Sequence, residues 1–232
     1  LIKQWAMAIS QIYPGANVMI AGKDDFKKEN REKFFARVAT NKVDITIIGH
    51  SQLPLLPTDY DLLLEYEKEE VANIEAAIVD AKESTASNVT IKQMETRLKA
   101  ARAKIAESRY QQSQQTGITF KLLGLDKIIA DESHHFKNLP FQTKLIASGI
   151  GNPTGAKKCV NFFTKIRHMQ RNNGKVSLLS ATPISNSISE MYAFLRYTAP
   201  NALEEKGIHS FDGFIKAFAE VETKLELKLT GD

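Results

Sequence analysis

Lys127-Ile128-Ile129-Ala130-Asp131-Glu132-Ser133-His134 decides how this chain is read. A short apolar run delivers two adjacent carboxylates, the pattern of a buried strand that stops at Asp131. In open α/β sheets, ligands sit beyond the carboxyl ends of the strands. Two acids placed there are costly unless a cation or a proton-transfer task accompanies them. Strand alternation would aim Asp131 and Glu132 in different directions, which suits two jobs. A magnesium–nucleotide site supplies both: one carboxylate holds Mg²⁺ through water, and the other deprotonates the attacking water. Taken alone, such a pair is more often structural.

Outward from this strand, helices and strands alternate. Residues 1–13 predict a helix, with Leu1, Trp5, Ala8, Ile9 and Ile12 at helical spacing and Tyr13-Pro14-Gly15 as its stop. Residues 17–21 predict a buried strand, 22–29 a charged loop, 30–39 an amphipathic helix, and 43–48 a second strand ending at Gly49-His50-Ser51. After the carboxylates come a helix over 157–171, a strand over 176–179 ending at Ser180, and helices over 187–197 and 211–218. That order is the mark of an α/β fold, a parallel sheet with flanking helices.

Residues 59–116 interrupt the pattern. Nine acids and two lysines fall within 59–83, and six bases and two acids within 84–109. Apolar residues recur at 71, 74, 78 and 81, then at 91, 94, 98, 101 and 105, a heptad-like spacing. With the polar stretch 83–90 as its turn, the segment predicts an antiparallel α-helical hairpin, an acidic arm against a basic one. Arms this short need support from a globular body. The hairpin is either a structural protrusion or an arm that touches a partner or DNA.

The chain has 232 residues, 43% of them hydrophobic and 25% charged, with a net charge of +4. That is enough for one large α/β domain and says little about partners. The single cysteine, Cys159, excludes an internal disulfide and a cysteine metal cluster, and suggests a reducing compartment. No run of 18 apolar residues and no signal peptide is visible, so no membrane partner is expected. The chain opens without methionine, inside an amphipathic pattern, and reads as a piece of something longer.

Asp131-Glu132-Ser133-His134 resembles the Asp-Glu-x-His box of superfamily-two helicases and translocases. Lys137-Asn138 resembles the continuation found in their Swi/Snf branch, and Ser180-Ala181-Thr182-Pro183-Ile184-Ser185-Asn186 that branch's third motif. Each motif is moderately specific, and the two in this order, each ending a strand, are strong. Leu1-Ile2-Lys3-Gln4-Trp5 looks like the start of the helix after motif Ia, and residues 43–51 like the DNA-facing motif Ib. Only 59–116 lack a counterpart. Tyr13-Pro14-Gly15-Ala16, Ile48-Gly49-His50-Ser51 and residues 131–138 are similar to the helicase part of large phage and mobile-element proteins that fuse a helicase to an adenine-specific DNA methylase.

The resemblance implies a RecA-like first lobe over 1–232, working with ATP and Mg²⁺ on double-stranded DNA. Its partners would be a second helicase lobe and a methylase domain of the same parent chain, in the cytoplasm of a bacterial or phage-infected cell. It implies that Asp131 holds Mg²⁺ through water, that Glu132 is the catalytic base, and that His134, Ser180 and Thr182 couple nucleotide to nucleic acid. Gln4 and Trp5 would belong to the helix behind the phosphate loop, with Trp5 in the core.

One departure from the family matters. No Gly-x-x-x-x-Gly-Lys-[Ser/Thr] occurs, and residues 149–157 carry Ala156 where the lysine would stand, so they read as a glycine-rich surface loop. The phosphate loop is expected upstream of Leu1 and the second lobe beyond Asp232, which would leave this chain inactive by itself.

Charge adds an independent sign. Residues 133–189 contain no acid, in a chain with 27 of them, and eight bases: Lys137, Lys144, Lys157, Lys158, Lys165, Arg167, Arg171 and Lys175. Such a face is the footprint of phosphate contact, or else it meets an acidic neighbouring domain. His50, Ser51, Lys137, Asn138, Lys157, Lys158, Lys165, Arg167 and Arg171 are the candidate nucleic-acid contacts. A transition-metal site at His134 and His135 is disfavoured, because adjacent histidines rarely ligate together. The rival reading is a non-catalytic nucleic-acid-binding or scaffold module on the same fold.

Overall fold

The computed structural model describes residues 2–40, 43–83, 88–145 and 148–220, with the backbone alone for 88–90. The elements run α1 (Ile2–Ile12), β1 (Val18–Ile20), α2 (Lys28–Thr40), β2 (Ile45–Ile47), α3 (Tyr60–Glu83), α4 (Asn88–Ser113), β3 (Lys127–Ala130), α5 (Lys157–Arg171), β4 (Lys175–Leu178), α6 (Ile188–Thr198), α7 (Pro200–Glu205) and α8 (Phe211–Phe218).

Two parallel strand pairs organise the chain. β1 pairs with β2, Val18 opposite Ile45 and Ile20 opposite Ile47. β3 pairs with β4, Lys127 opposite Lys175 and Ala130 opposite Leu178. Parallel partners need a crossover, which α2 and α5 supply, so the architecture is α/β. Among the described residues the two pairs share no ladder. They meet instead through side chains: Met19 and Ile48 on one side, Ile128 and Val176 on the other, around Phe34, Phe35, Phe120 and Met169.

β3 is half-buried, where a buried strand was expected. Ile128 faces the core, but Ile129 is 50% exposed. The two residues point to opposite faces, and only one face has a covering layer among the described residues.

α5 is the central helix. Cys159, Phe162, Phe163 and Ile166 pack between the β3–β4 pair and the residues Tyr66, Ala193 and Tyr197. A second core gathers Phe141, Ile150, Tyr192, Leu203, Phe211, Phe214 and Ile215 beneath α8. The Ser210 hydroxyl accepts from the Gly213 amide at 3.0 Å and caps α8.

α3 and α4 lie antiparallel. Ile74, Ile78 and Ala81 pack on Ile91, Met94 and Leu98, and Arg102–Glu75 and Lys82–Glu95 bridge the arms at 2.6 and 3.6 Å. The turn at 84–87 lies outside the described residues. The base is stitched to the body: Asp59 accepts from the Lys121 amide at 3.0 Å, and Gln115 bonds the backbone of Thr58 and Tyr60.

The glycine-rich stretch before α5 is a surface loop anchored at two points. Ile150 is buried in the second core. Gly155 has φ +66°, and a Cβ there would lie 2.4 Å from the Pro140 nitrogen. Only glycine meets both conditions. Ala156 then opens α5, and its amide donates to the Asn138 carbonyl at 2.9 Å.

Candidate functional site

The register of β3 and β4 brings the two motif turns side by side. The Leu179 amide donates to the Ala130 carbonyl and the Ser133 amide to the Leu179 carbonyl, both at 2.8 Å. The carboxylates and the Ser180 turn therefore leave adjacent strand ends together.

Strand alternation does not separate Asp131 from Glu132, because β3 has already ended at Ala130. Glu132 instead takes a left-handed backbone, φ 48° and ψ 44°. This conformation is uncommon for a residue other than glycine and clusters at functional sites. It turns the chain sharply into a short 3-10 segment, Ser133–Phe136, whose Ser133 and Phe136 are buried.

Asp131 is held from two sides. Its Oδ1 accepts from the Glu132 amide at 2.9 Å, and its Oδ2 accepts from the Trp5 indole Nε1 at 2.9 Å. Trp5 was expected in the core. It is half-buried on α1 and reaches across 126 residues of sequence to fix this carboxylate. The one hint in the sequence was a buried indole N–H needing an acceptor.

The Glu132 side chain is 46% exposed, and its Oε2 lies 3.2 Å from His134 Nδ1. The same nitrogen is 3.4 Å from the Ser180 hydroxyl, which accepts from the Thr182 amide at 3.1 Å. Thus Glu132, His134, Ser180 and Thr182 form one chain of polar contacts. The His134 ring packs on His135, which packs edge-on against His50, with centroids 4.4 and 5.3 Å apart. Burial first, then His134, His50 and Lys158, hold the His135 imidazole below its usual range. Among the described residues no group of three His, Cys, Asp or Glu could hold a metal ion.

The candidate nucleic-acid residues divide into two sets. His50, Ser51, Asn138, Lys157 and Lys158 are exposed around the site. Gln52, missed in the sequence, fixes the turn that carries His50: it accepts from the Gly49 amide at 2.6 Å and donates to the Gly22 carbonyl at 3.0 Å.

The other four are buried or paired within the chain. Lys165 is 3% exposed, donates to Asn161 Oδ1 at 2.9 Å and lies over the Phe120 ring. Arg167 pairs with Glu69, and Arg171 with Glu65 and Glu69, all on the acidic arm α3. Lys137 pairs with Glu190 at 3.0 Å, with only 13% and 5% of the two side chains exposed. Lys144 likewise meets Asp80 of α3 at 2.6 Å. Three of the eight bases, Lys144, Arg167 and Arg171, therefore meet the acidic arm of the hairpin inside the chain. Sequence reading set the acidic arm against α4 alone, and no local pattern reports a contact across about a hundred residues.

No helix among the described residues is long and apolar enough to cross a membrane. The family model described as a probable helicase domain matches residues 1–232. The chain is also similar to the defense against restriction protein B of Escherichia phage P1, 29% identical over 119 residues, which are 49% of this chain and 5% of that protein. The matched stretch spans only that small share of the relative's length. No solved structure matches.

Proposed function

The chain belongs to the family of probable helicase domains, and we propose on that premise that it is part of the first, RecA-like lobe of a Swi/Snf-branch motor that couples ATP hydrolysis to movement along double-stranded DNA. The observation that carries this reading is the contact chain from Glu132 through His134 to Ser180 and Thr182, at the ends of two paired strands. The parent would add a second lobe and, in the manner of phage and mobile-element fusions, a methylase domain. It would work in the cytoplasm of a bacterial or phage-infected cell. The phage relative is named for defense against restriction, and a DNA-acting motor accords with that name.

The donor set fits magnesium. Asp131 and Glu132 offer hard carboxylate oxygens, and among the described residues no lysine or arginine bridge answers either. Mg²⁺ and ATP would supply the phosphoryl group and the charge that clamps it. Asp131, oriented by Trp5, would hold the ion through water. Glu132, exposed and 3.2 Å from His134, would accept the proton of the attacking water. His134, Ser180 and Thr182 would pass the state of that site to the DNA-facing turns. His50, Ser51, Asn138, Lys157 and Lys158 would contact the backbone phosphates.

Glu132→Gln in the full-length protein tests this reading. The amide keeps the size of the side chain but cannot take a proton, so DNA-stimulated ATPase should fall by about 100-fold or more. Wild-type-like turnover in that variant sinks the assignment of the base. Absence of ATPase from the wild-type protein favours the scaffold reading.

A further inference from the structure

The His134–Ser180 contact is long, at 3.4 Å, and partly open to water. A second connection between the same two turns is shorter and more deeply buried. Lys137 follows the carboxylate turn, one residue beyond its 3-10 segment. Its ammonium lies 3.0 Å from Glu190 Oε1 and also donates to the Ser185 hydroxyl. Glu190 Oε2 in turn accepts from the amides of Ser185 at 2.6 Å and Asn186 at 3.2 Å. One carboxylate in the first turn of α6 therefore grips the far end of the 180–186 loop and the Lys137 cation together. Burial alone would raise the Glu190 carboxyl, but the Ser185 amide, Lys137 and the Asn186 amide outweigh it and hold it below the usual range.

We propose that Lys137 and Glu190 are positioning residues, a buried strut that makes the 180–186 loop move with the carboxylate turn and so transmits nucleotide state to DNA binding. This rests on the motor reading above and assigns Lys137 a role other than phosphate contact. The strut's contact is shorter and less exposed than that of His134. Its two ends are charged and mostly shielded from water, so its ion pair is stronger than an exposed one. On the loop side, two backbone amides share one glutamate oxygen. The residues between Ser180 and Ser185 are exposed.

Removing one partner leaves a buried unpaired charge and risks unfolding. The informative variant is therefore Lys137→Met with Glu190→Gln, which removes both charges and keeps an oxygen for the loop amides. Two readouts are taken in the full-length protein. The ratio of DNA-stimulated to unstimulated ATPase should fall by about fivefold or more, the lower end of a typical coupling between sites. In a Glu132→Gln background, Mg²⁺–ATP should alter amide hydrogen exchange across 180–187, and the double variant should lose that response. A purely structural pair would change the melting temperature and neither readout. A double variant that folds and keeps both responses overturns the strut while leaving the motor reading intact. A wild-type protein without DNA-stimulated ATPase overturns the motor reading, and the strut with it.

Discussion

Lys165 carries a charge to a place that water scarcely reaches. Burial pulls its ammonium down from the usual lysine range to about 8, and nearby Asp59 only partly offsets this. The unfolded chain holds that proton up to about pH 10.5. Between about pH 8 and 10.5 the unfolded state binds more protons, so stability rises with pH across that window. Below it, the buried charge costs the fold roughly 3 kcal/mol. Lys165→Met should therefore raise the melting temperature at pH 7, and its advantage over wild type should vanish by about pH 10.5. A pH-independent difference between the two proteins, followed by thermal denaturation, would show that the lysine is not strained. Lys165 also marks a limit of sequence reading. It sits in a basic stretch, and its burial follows from the apolar face of α5, where Phe162, Phe163, Ile166 and Met169 flank it. The left-handed turn at Glu132 was equally hidden, because a glutamate gives no sign of the backbone that glycine would announce.

α5 presents two chemically different stretches of base. Lys157 and Lys158 stand exposed in its first turn, and Arg167 and Arg171 are clamped by Glu65 and Glu69 of α3. These stretches should separate in solution. Reversing Lys157 and Lys158 to Glu should weaken DNA binding and reduce the slope of its salt dependence by about two, one for each phosphate that is no longer neutralised. Arg167→Ala with Arg171→Ala should leave DNA affinity nearly unchanged and destabilise the fold by about 1 kcal/mol, since these pairs are partly open to water. Equal losses of DNA affinity in both variants, measured by titration at several salt concentrations, would return the arginines to the nucleic-acid face. The hairpin illustrates what periodicity can and cannot tell. The 3–4 spacing in residues 71–81 and 91–105 marks which side chains face one another, since those contacts are local to two neighbouring helices. It is silent about Glu65, Glu69, Glu70 and Asp80, whose partners Arg171, Arg167, Arg196 and Lys144 lie far along the chain.

At the scale of the molecule, the alternation of helix and strand was legible because strand ends coincide with turn residues and helices show their apolar stripe. The side-by-side placement of the Asp131 and Ser180 turns was legible only through the family resemblance, not from the apolar runs themselves. The division of the strands into two pairs was not. Val18–Ile20 and Ile45–Ile47 are as apolar as Lys127–Ala130 and Lys175–Leu178, and composition does not name a strand's neighbour. Nor was the bond from the first helix to the turn after the third strand. That bond has an optical consequence. The chain contains one tryptophan, and its indole N–H rests on Asp131 at 2.9 Å. The ultraviolet emission of this chain is thus a lamp mounted on the carboxylate that would face magnesium. Asp131→Asn, which removes the charge beside the indole, should change the colour or brightness of that emission. An identical emission spectrum in the two proteins would mean that the indole does not rest on Asp131.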